Sequence, residues 1–436
     1  MSELSGTLNA LWDGLRLSVV YWWAWLPIVL GVVAYKAWLE SNRAQFISKI
    51  HWVMLELIPP AEVPYASPKA AENIFSGLHA TYVGKPGTKW KAQFFLGKVP
   101  VWFSFEIISD GGETHFFIRC EDKQRNLVEA LVFAQYPDAE IREVPDYVLN
   151  MPEKFDPAQF DAFGAELEFT KEHAYPIKSY LEFEEAGGKD EYQRLDPIAP
   201  LLETMSALRP GEHLWLQFLI RATGDDWTIE GKKIVDKLKG KKEKPRKPAF
   251  LWLFEIIDSL VGIAKEEKKE EKEAEFNLQK LTAAERKVLE QVEFKLAKLA
   301  FKTGIRVLYT ANPESFNGAR VPSVIGMFKQ LYYTNMNTFK PSVLTKDKGI
   351  LKWIFPSDIG FFAGGKILKK KKKMYEAYRR RMFPRNKGKE MFCILNTEEL
   401  ATLWHLPGLN VKAPLMPRVQ AKKGQPPAIL PTRPHA

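Results

Sequence analysis

A chain of 436 residues that is 46% hydrophobic and 13% aromatic has room for two or three domains with real cores, which excludes a mainly disordered or fibrous protein. Its 63 Lys and Arg against 53 Asp and Glu leave a formal charge of +10. That excess sits in clusters and points to polyanionic partners, nucleic acid or anionic lipid. Cys120 and Cys393 are the two cysteines, with no CxxC and no Cys/His zinc spacing. Neither a disulfide framework nor a structural metal is indicated, and a reducing cytoplasmic setting fits.

The N-terminal segment, residues 1–45, contains "LSVVYWWAWLPIVLGVVAY" from Leu17 to Tyr35, nineteen residues without a charge. As a helix this stretch measures roughly 28 Å, close to the hydrocarbon thickness of a bilayer, so the expectation is a transmembrane helix. Trp22, Trp23, Trp25 and Trp38 are candidate interfacial anchors. Arg16 precedes the span, whereas Lys36, Arg43 and Lys49 follow it. The positive-inside bias then predicts a single-pass inner-membrane protein with its C-terminal body in the cytoplasm.

Residues 46–150 read as a first α+β unit. "HWVMLELIP" (His51 to Pro59) alternates like a strand, and "SPKAAENIFSGLHA" (Ser67 to Ala80) has a Ser cap, an early Pro and apolar residues at helical spacing. "VWFSFEIIS" and "ETHFFIRCE" alternate on either side of Asp110-Gly111-Gly112, a hairpin signal. A helix through "QRNLVEALVFAQYP" and a short strand "AEIREV" complete β-α-β-β-α-β, the split βαβ or ferredoxin-like order.

The same order is predicted again over residues 165–345. "AYPIKSYLEFEE" (Ala174 to Glu185) is taken as a strand, "DPIAPLLETMSALRPGE" as a helix and "HLWLQFLIRAT" as a strand; "GIRVLYTA", a helix through "PSVIGMFKQLYY" and a strand beyond Asn335 finish the unit. Between its middle strands lies an insertion, residues 226–300. It holds a basic linker, an apolar helix at 248–264, a mixed-charge run, and a helix opened by a capping box from Thr282 to Glu285. Helix 248–264 has a wide apolar side that includes Phe250, Trp252, Phe254 and Ile257. It reads either as a helix lying in the inner membrane interface or as one packed on protein.

"GFFAGGKILKKKKK" (Gly360 to Lys373) is most of a P-loop, but Ile367 stands where the Ser or Thr that binds magnesium belongs. A parallel-sheet ATPase also needs far more chain than follows, so the glycines are expected to form a turn feeding the basic segment, residues 346–391. No HExxH, no GxSxG and no activated cysteine appears, so the chain reads as non-catalytic, with no cofactor and no metal. The basic segment is the remaining candidate site. Lys369, Lys370, Lys371, Lys372, Lys373, Arg379, Arg380 and Arg381 are its candidate contacts to anionic lipid or to nucleic-acid phosphates.

"FCILNTEELATLWHLPG" (Phe392 to Gly408) opens the last segment, residues 392–436. It resembles the boundary segment of prokaryotic membrane-anchored proteins associated with type IV secretion and conjugation, in which a P-loop ATPase domain of the coupling-protein or FtsK/HerA type follows. "HWVMLELIPP", "ARVPSVIGMFKQL" and "MNTFKP" are similar to other parts of that family. Here the segment leads to a Pro- and Lys-rich tail, so no residues stand where the family places its ATP site. The resemblance implies a non-catalytic scaffold or adaptor that positions a separate P-loop ATPase in a DNA or protein translocation machine, with homo-oligomerisation, a hexameric ring in the family, as a further expectation. The alternatives are a membrane-tethered nucleic-acid-binding module and a degenerate ATPase.

Overall fold

The computed structural model describes residues 12, 20–60, 68–82, 97–187, 195–239, 281–318, 320–332, 335–345, 360–386, 389–408 and 416–418. The expected helix 248–264, with Phe250, Trp252, Phe254 and Ile257, lies outside the described residues, as do most of the C-terminal tail and residues 17–19 of the expected span. The chain divides into two compact units, Met1–Trp52 with Val83–Val101, and Val53–Tyr82 with Trp102–Ala436.

The first unit is built on helix α1 (Trp22–Ser48). Ile28, Val29, Leu30, Val32 and Val33 are all exposed, so the apolar side chains are not confined to one face. Gly97 holds φ at +63°, and a Cβ there would meet the backbone of Asn42 at 2.3 Å, so only glycine fits this approach. The transmembrane expectation is corrected: among the described residues no helix is long and apolar enough to cross a membrane. From its first residue, α1 has an uncharged run from Trp22 to Tyr35, 14 residues, against the ~20 a span needs. Lys36, Glu40 and Arg43 then continue the same helix. Trp22, Trp23 and Trp38 are exposed on it.

The second unit is organised by one antiparallel sheet. In chain order its elements begin with β1 (Trp52–Ile58), α2 (Pro68–Leu78), β2 (Phe103–Asp110), β3 (Glu113–Glu121), α3 (Arg125–Gln135) and β4 (Glu140–Glu143). They continue with β5 (Asp161–Phe169), α4 (Tyr180–Gly187), α5 (Ala199–Ser206), β6 (Glu212–Thr223), α6 (Asp226–Leu238), α7 (Ala283–Leu296), β7 (Ala300–Ala311), α8 (Arg320–Lys329) and β8 (Phe339–Leu344). The C-terminal part adds α9 (Gly360–Arg379), the short hairpin β9 (Arg385–Asn386) and β10 (Lys389–Glu390), β11 (Cys393–Asn396) and α10 (Thr397–Leu403).

Strand order is β4-β1-β3-β2-β6-β7-β5-β8. The first four strands and the last four each follow the spatial order of a βαββαβ unit, and β2 pairs with β6 to join them into one sheet. Helices α6 and α7 leave and re-enter between β6 and β7. β11 pairs with residues 300–303 of β7, while β5 pairs with residues 305–311 of the same strand.

Two local readings are corrected. Residues 180–187 are helix α4 rather than part of a strand, because Tyr180 and Phe183 bury at helical spacing while Leu181 is exposed. The strand in that half is β5, which the sequence hides: it is buried on both faces and therefore shows no alternation. On one side of the sheet Phe75 and Trp404 pack against Phe105, with ring centroids 4.9 Å and 4.7 Å away. The neighbouring residue Glu106 points to the opposite side, since side chains alternate along a strand. That opposite side carries α9.

Candidate functional site

Helix α9 runs without a break from Gly360 through Gly364 and Gly365 to Arg379, so the expected glycine turn is corrected to helix. Each glycine costs roughly 1 kcal/mol of helix propensity, which docking of the later turns offsets. Met374, Tyr375 and Tyr378 bury against Phe155, Phe160, Trp215 and Leu308. Gly164 on β5 makes room for them: a Cβ there would come within 2.3 Å of the Met374 side chain.

Beneath the C-terminal end of α9 lies a polar row. Glu106, Gln217, Arg306 and Glu166 are register partners across β2, β6, β7 and β5, each the polar residue of a mostly apolar strand segment, and all are buried. Arg306 donates to Glu166 Oε1 at 2.6 Å, to Gln217 Oε1 at 3.0 Å, and to the Ala377 and Met382 carbonyls at 3.0 and 2.9 Å. The sheet thereby grips the end of the helix.

Arg381 completes the clasp from the helix side. Two residues past α9, it sits in the left-handed region at φ 49° and is 2% exposed. Its Nε and Nη2 donate to the two Glu106 oxygens at 3.0 and 3.1 Å, and Nη1 and Nη2 donate to Asp146 at 2.5 and 2.8 Å. Tyr147 donates to Glu106 Oε2 at 2.6 Å and meets the Tyr378 hydroxyl at 2.6 Å. Burial alone would raise the Glu106 carboxyl; the Arg381 charge and hydrogen bonds outweigh it and hold the group at about 2. Burial pushes the Tyr147 and Tyr378 hydroxyls well up. Burial and the nearby Arg381 charge lower Arg119 to about 10.

The eight candidate contacts of this segment therefore divide. Arg381 is internal; Lys371 pairs with Asp161; Arg379 donates to the Val148, Met151 and Pro152 carbonyls. Lys369, Lys370, Lys372, Lys373 and Arg380 are exposed, and Arg380 pairs with Glu376 at 2.9 Å. What faces outward is a ridge of four lysines over about one and a half turns, backed by the buried Met374, Tyr375 and Tyr378.

The segment Phe392 to Gly408 forms a second buried ionic centre. Every residue of α10 is buried, and Asn396 caps the helix in a capping box with Glu399. Glu399 also accepts from the Ile177 N–H at 2.9 Å and pairs with Lys295 at 3.0 Å. Burial pushes Glu399 up and Lys295 down, each partly opposed by the other's charge. Glu398 pairs with Lys298, which also reaches Glu72 at 2.9 Å. Trp404 is 1% exposed among Phe75, Phe105 and Phe116, a burial worth ~1.5–3 kcal/mol. These residues belong to the core of the sheet domain.

Sequence reading missed the clasp residues Glu106, Asp146, Gln217, Arg306 and Glu166. For the four strand residues the one signal was a lone polar residue in an apolar strand; Asp146, which lies between β4 and residues 147–150, carried none. Among the described residues no group of three or more His, Cys, Asp and Glu side chains is arranged to hold a metal ion. Cys120 and Cys393 are both buried, and burial pushes the Cys120 thiol up to about 12.

No curated protein matches the chain. Residues 40–416, which take in the whole sheet, α9 and α10, match the family model described as "Domain of unknown function (DUF8128)", and the chain belongs to that family.

Proposed function

We propose that this chain is a non-catalytic scaffold that presents the lysine ridge of α9 to a polyanion, and that the polyanion is nucleic acid. The observation that carries the reading is the division of α9: Met374, Tyr375 and Tyr378 are buried on the sheet while Lys369, Lys370, Lys372 and Lys373 stand exposed on the same helix. Interfacial lipid binding uses a free apolar face beside the cations, and the later turns of α9 bury Met374, Tyr375 and Tyr378 on the sheet. Tracking phosphates needs only the fixed cations. The resemblance of Phe392 to Gly408 to translocation proteins extends the reading: the scaffold would serve a DNA-handling machine whose P-loop ATPase is a separate polypeptide.

The test is fluorescence anisotropy of labelled duplex and single-stranded oligonucleotides over a salt series. The quadruple variant Lys369→Ala, Lys370→Ala, Lys372→Ala, Lys373→Ala is expected to weaken binding at every sequence and to flatten the log–log salt slope by about 1 per lysine. Unchanged binding by the variant, or binding of the parent chain to anionic vesicles alone, overturns the nucleic-acid assignment.

A further inference from the structure

Away from α9, a cleft of about 240 Å³ opens between α6, residues 172–174 and Ile394. Its lining is mainly apolar, with Trp227 and Ile234 of α6, Ala174 and Ile394. Trp227 packs on Ala300 and Ile394, and Ile234 packs on the cluster that holds Ala174, Val235 and Val292, so the core fixes both walls.

The cleft lies at the root of the insertion. α6 ends at Leu238, and the described residues break off after Lys239 and resume at Leu281. Leu238 and Leu281 both pack on the cluster that holds Ala174 and takes Ile234, two residues of the cleft lining. Residues 240–280 are therefore anchored at both ends beside the cleft.

That segment contains the expected apolar helix 248–264. At 100° per residue Leu253, Ile257 and Leu260 fall at the centre of its apolar side, opposite Glu255, Asp258, Ser259 and Gly262. Leu253 and Leu260 have the same spacing as Trp227 and Ile234 on α6, two turns or about 10 Å. The linker 240–247 extends to roughly 26 Å, and α6 from Lys239 back to Trp227 measures about 18 Å, so the helix can reach the whole cleft. Tethering favours this occupant over a separate chain, since a short linker holds it at an effective concentration on the order of millimolar.

We infer that the apolar side of helix 248–264, centred on Leu253, Ile257 and Leu260, docks in this cleft against Trp227 and Ile234. The insertion then packs on its own sheet domain, and its apolar residues are withdrawn from the membrane interface and from other copies of the chain.

Two measurements on the full chain test this. Hydrogen–deuterium exchange of the parent protein needs no substitution and should be slow in residues 248–264 as well as in 227–234; exchange of 248–264 at free-peptide rates overturns the proposal. Cross-linking then identifies the occupant. Lys233 is exposed and lines the cleft, and the native thiols Cys120 and Cys393 are buried. In Lys233→Cys combined with Ile257→Cys, a flexible bismaleimide should link the two positions within one chain about tenfold faster than in Lys233→Cys combined with Ser259→Cys, on the opposite side of the helix. Equal rates from both sides, links formed only between chains, or loss of the link when anionic vesicles are added overturns the proposal. The last two outcomes would assign the helix to a second copy or to the membrane interface.

Discussion

Helices α9 and α10 both bring charge to the sheet, and they handle it differently. α9 sends Arg381 to a carboxylate, Glu106, that stays ionised because the guanidinium overcomes the effect of burial. α10 sends Glu399 to Lys295, where burial moves both groups toward neutrality despite a 3.0 Å contact. The difference lies in the donors. Glu106 is met by a planar fork, Ser104, Tyr147 and Gln217, whereas Glu399 has one ammonium and two backbone N–H groups. A buried ion pair is as strong as the full set of hydrogen bonds around it.

The largest expected effect tests this contrast directly. Arg381→Met leaves Glu106 and Asp146 without their cation and should lower stability by about 3–5 kcal/mol in urea denaturation. Arg381→Gly is the sharper variant: it relieves a left-handed backbone worth ~1–2 kcal/mol, so it should be less damaging than Met yet still destabilising. A neutral Arg381→Gly would mean that the clasp does not hold α9.

Lys295→Met should cost less, about 1–3 kcal/mol, because Glu399 can take up a proton and keep its backbone hydrogen bonds. If it costs as much as Arg381→Met, the two centres are not different in kind.

Acid provides a third comparison. The folded Glu106 value, about 2, lies below its ordinary 4.5, so its contribution is complete above about pH 4.5 and is lost as pH falls toward 2. Glu399 is shifted the other way, so its contribution is present below its unfolded value and is lost as pH rises through its raised folded value. Glu106→Gln should therefore flatten the acid limb of a stability-versus-pH curve, and Glu399→Gln should leave that limb in place. The smallest effect belongs to the outward lysines: the quadruple alanine variant of Lys369, Lys370, Lys372 and Lys373 should leave the denaturation midpoint unchanged, separating the ridge from the clasp on one helix.

Much of the sheet was legible locally. The hairpin of β2 and β3 followed from Asp110-Gly111-Gly112 between alternating strands, and α7 from the Thr282 capping box. β5 was not, because a strand buried on both faces loses the period that identifies it. The site was legible as charge without direction: the run from Lys369 to Arg381 was evident, but nothing local separates Lys370, which faces solvent, from Arg381, whose partner Glu106 is 275 residues away. "NTEEL" likewise looked like a border and is core, because the partners of Glu398 and Glu399 lie on or beside α7, about a hundred residues earlier.

By itself the sequence determined which segments carry strand and helix periodicity and where cations concentrate, since both are properties of neighbours along the chain. Only the tertiary structure decided which of those charges are spent inside. Burial raises the cost of an unpaired charge and selects long-range partners, and β2, β6, β7 and β5 had to meet in register before Glu106, Gln217, Arg306 and Glu166 could line up beneath α9.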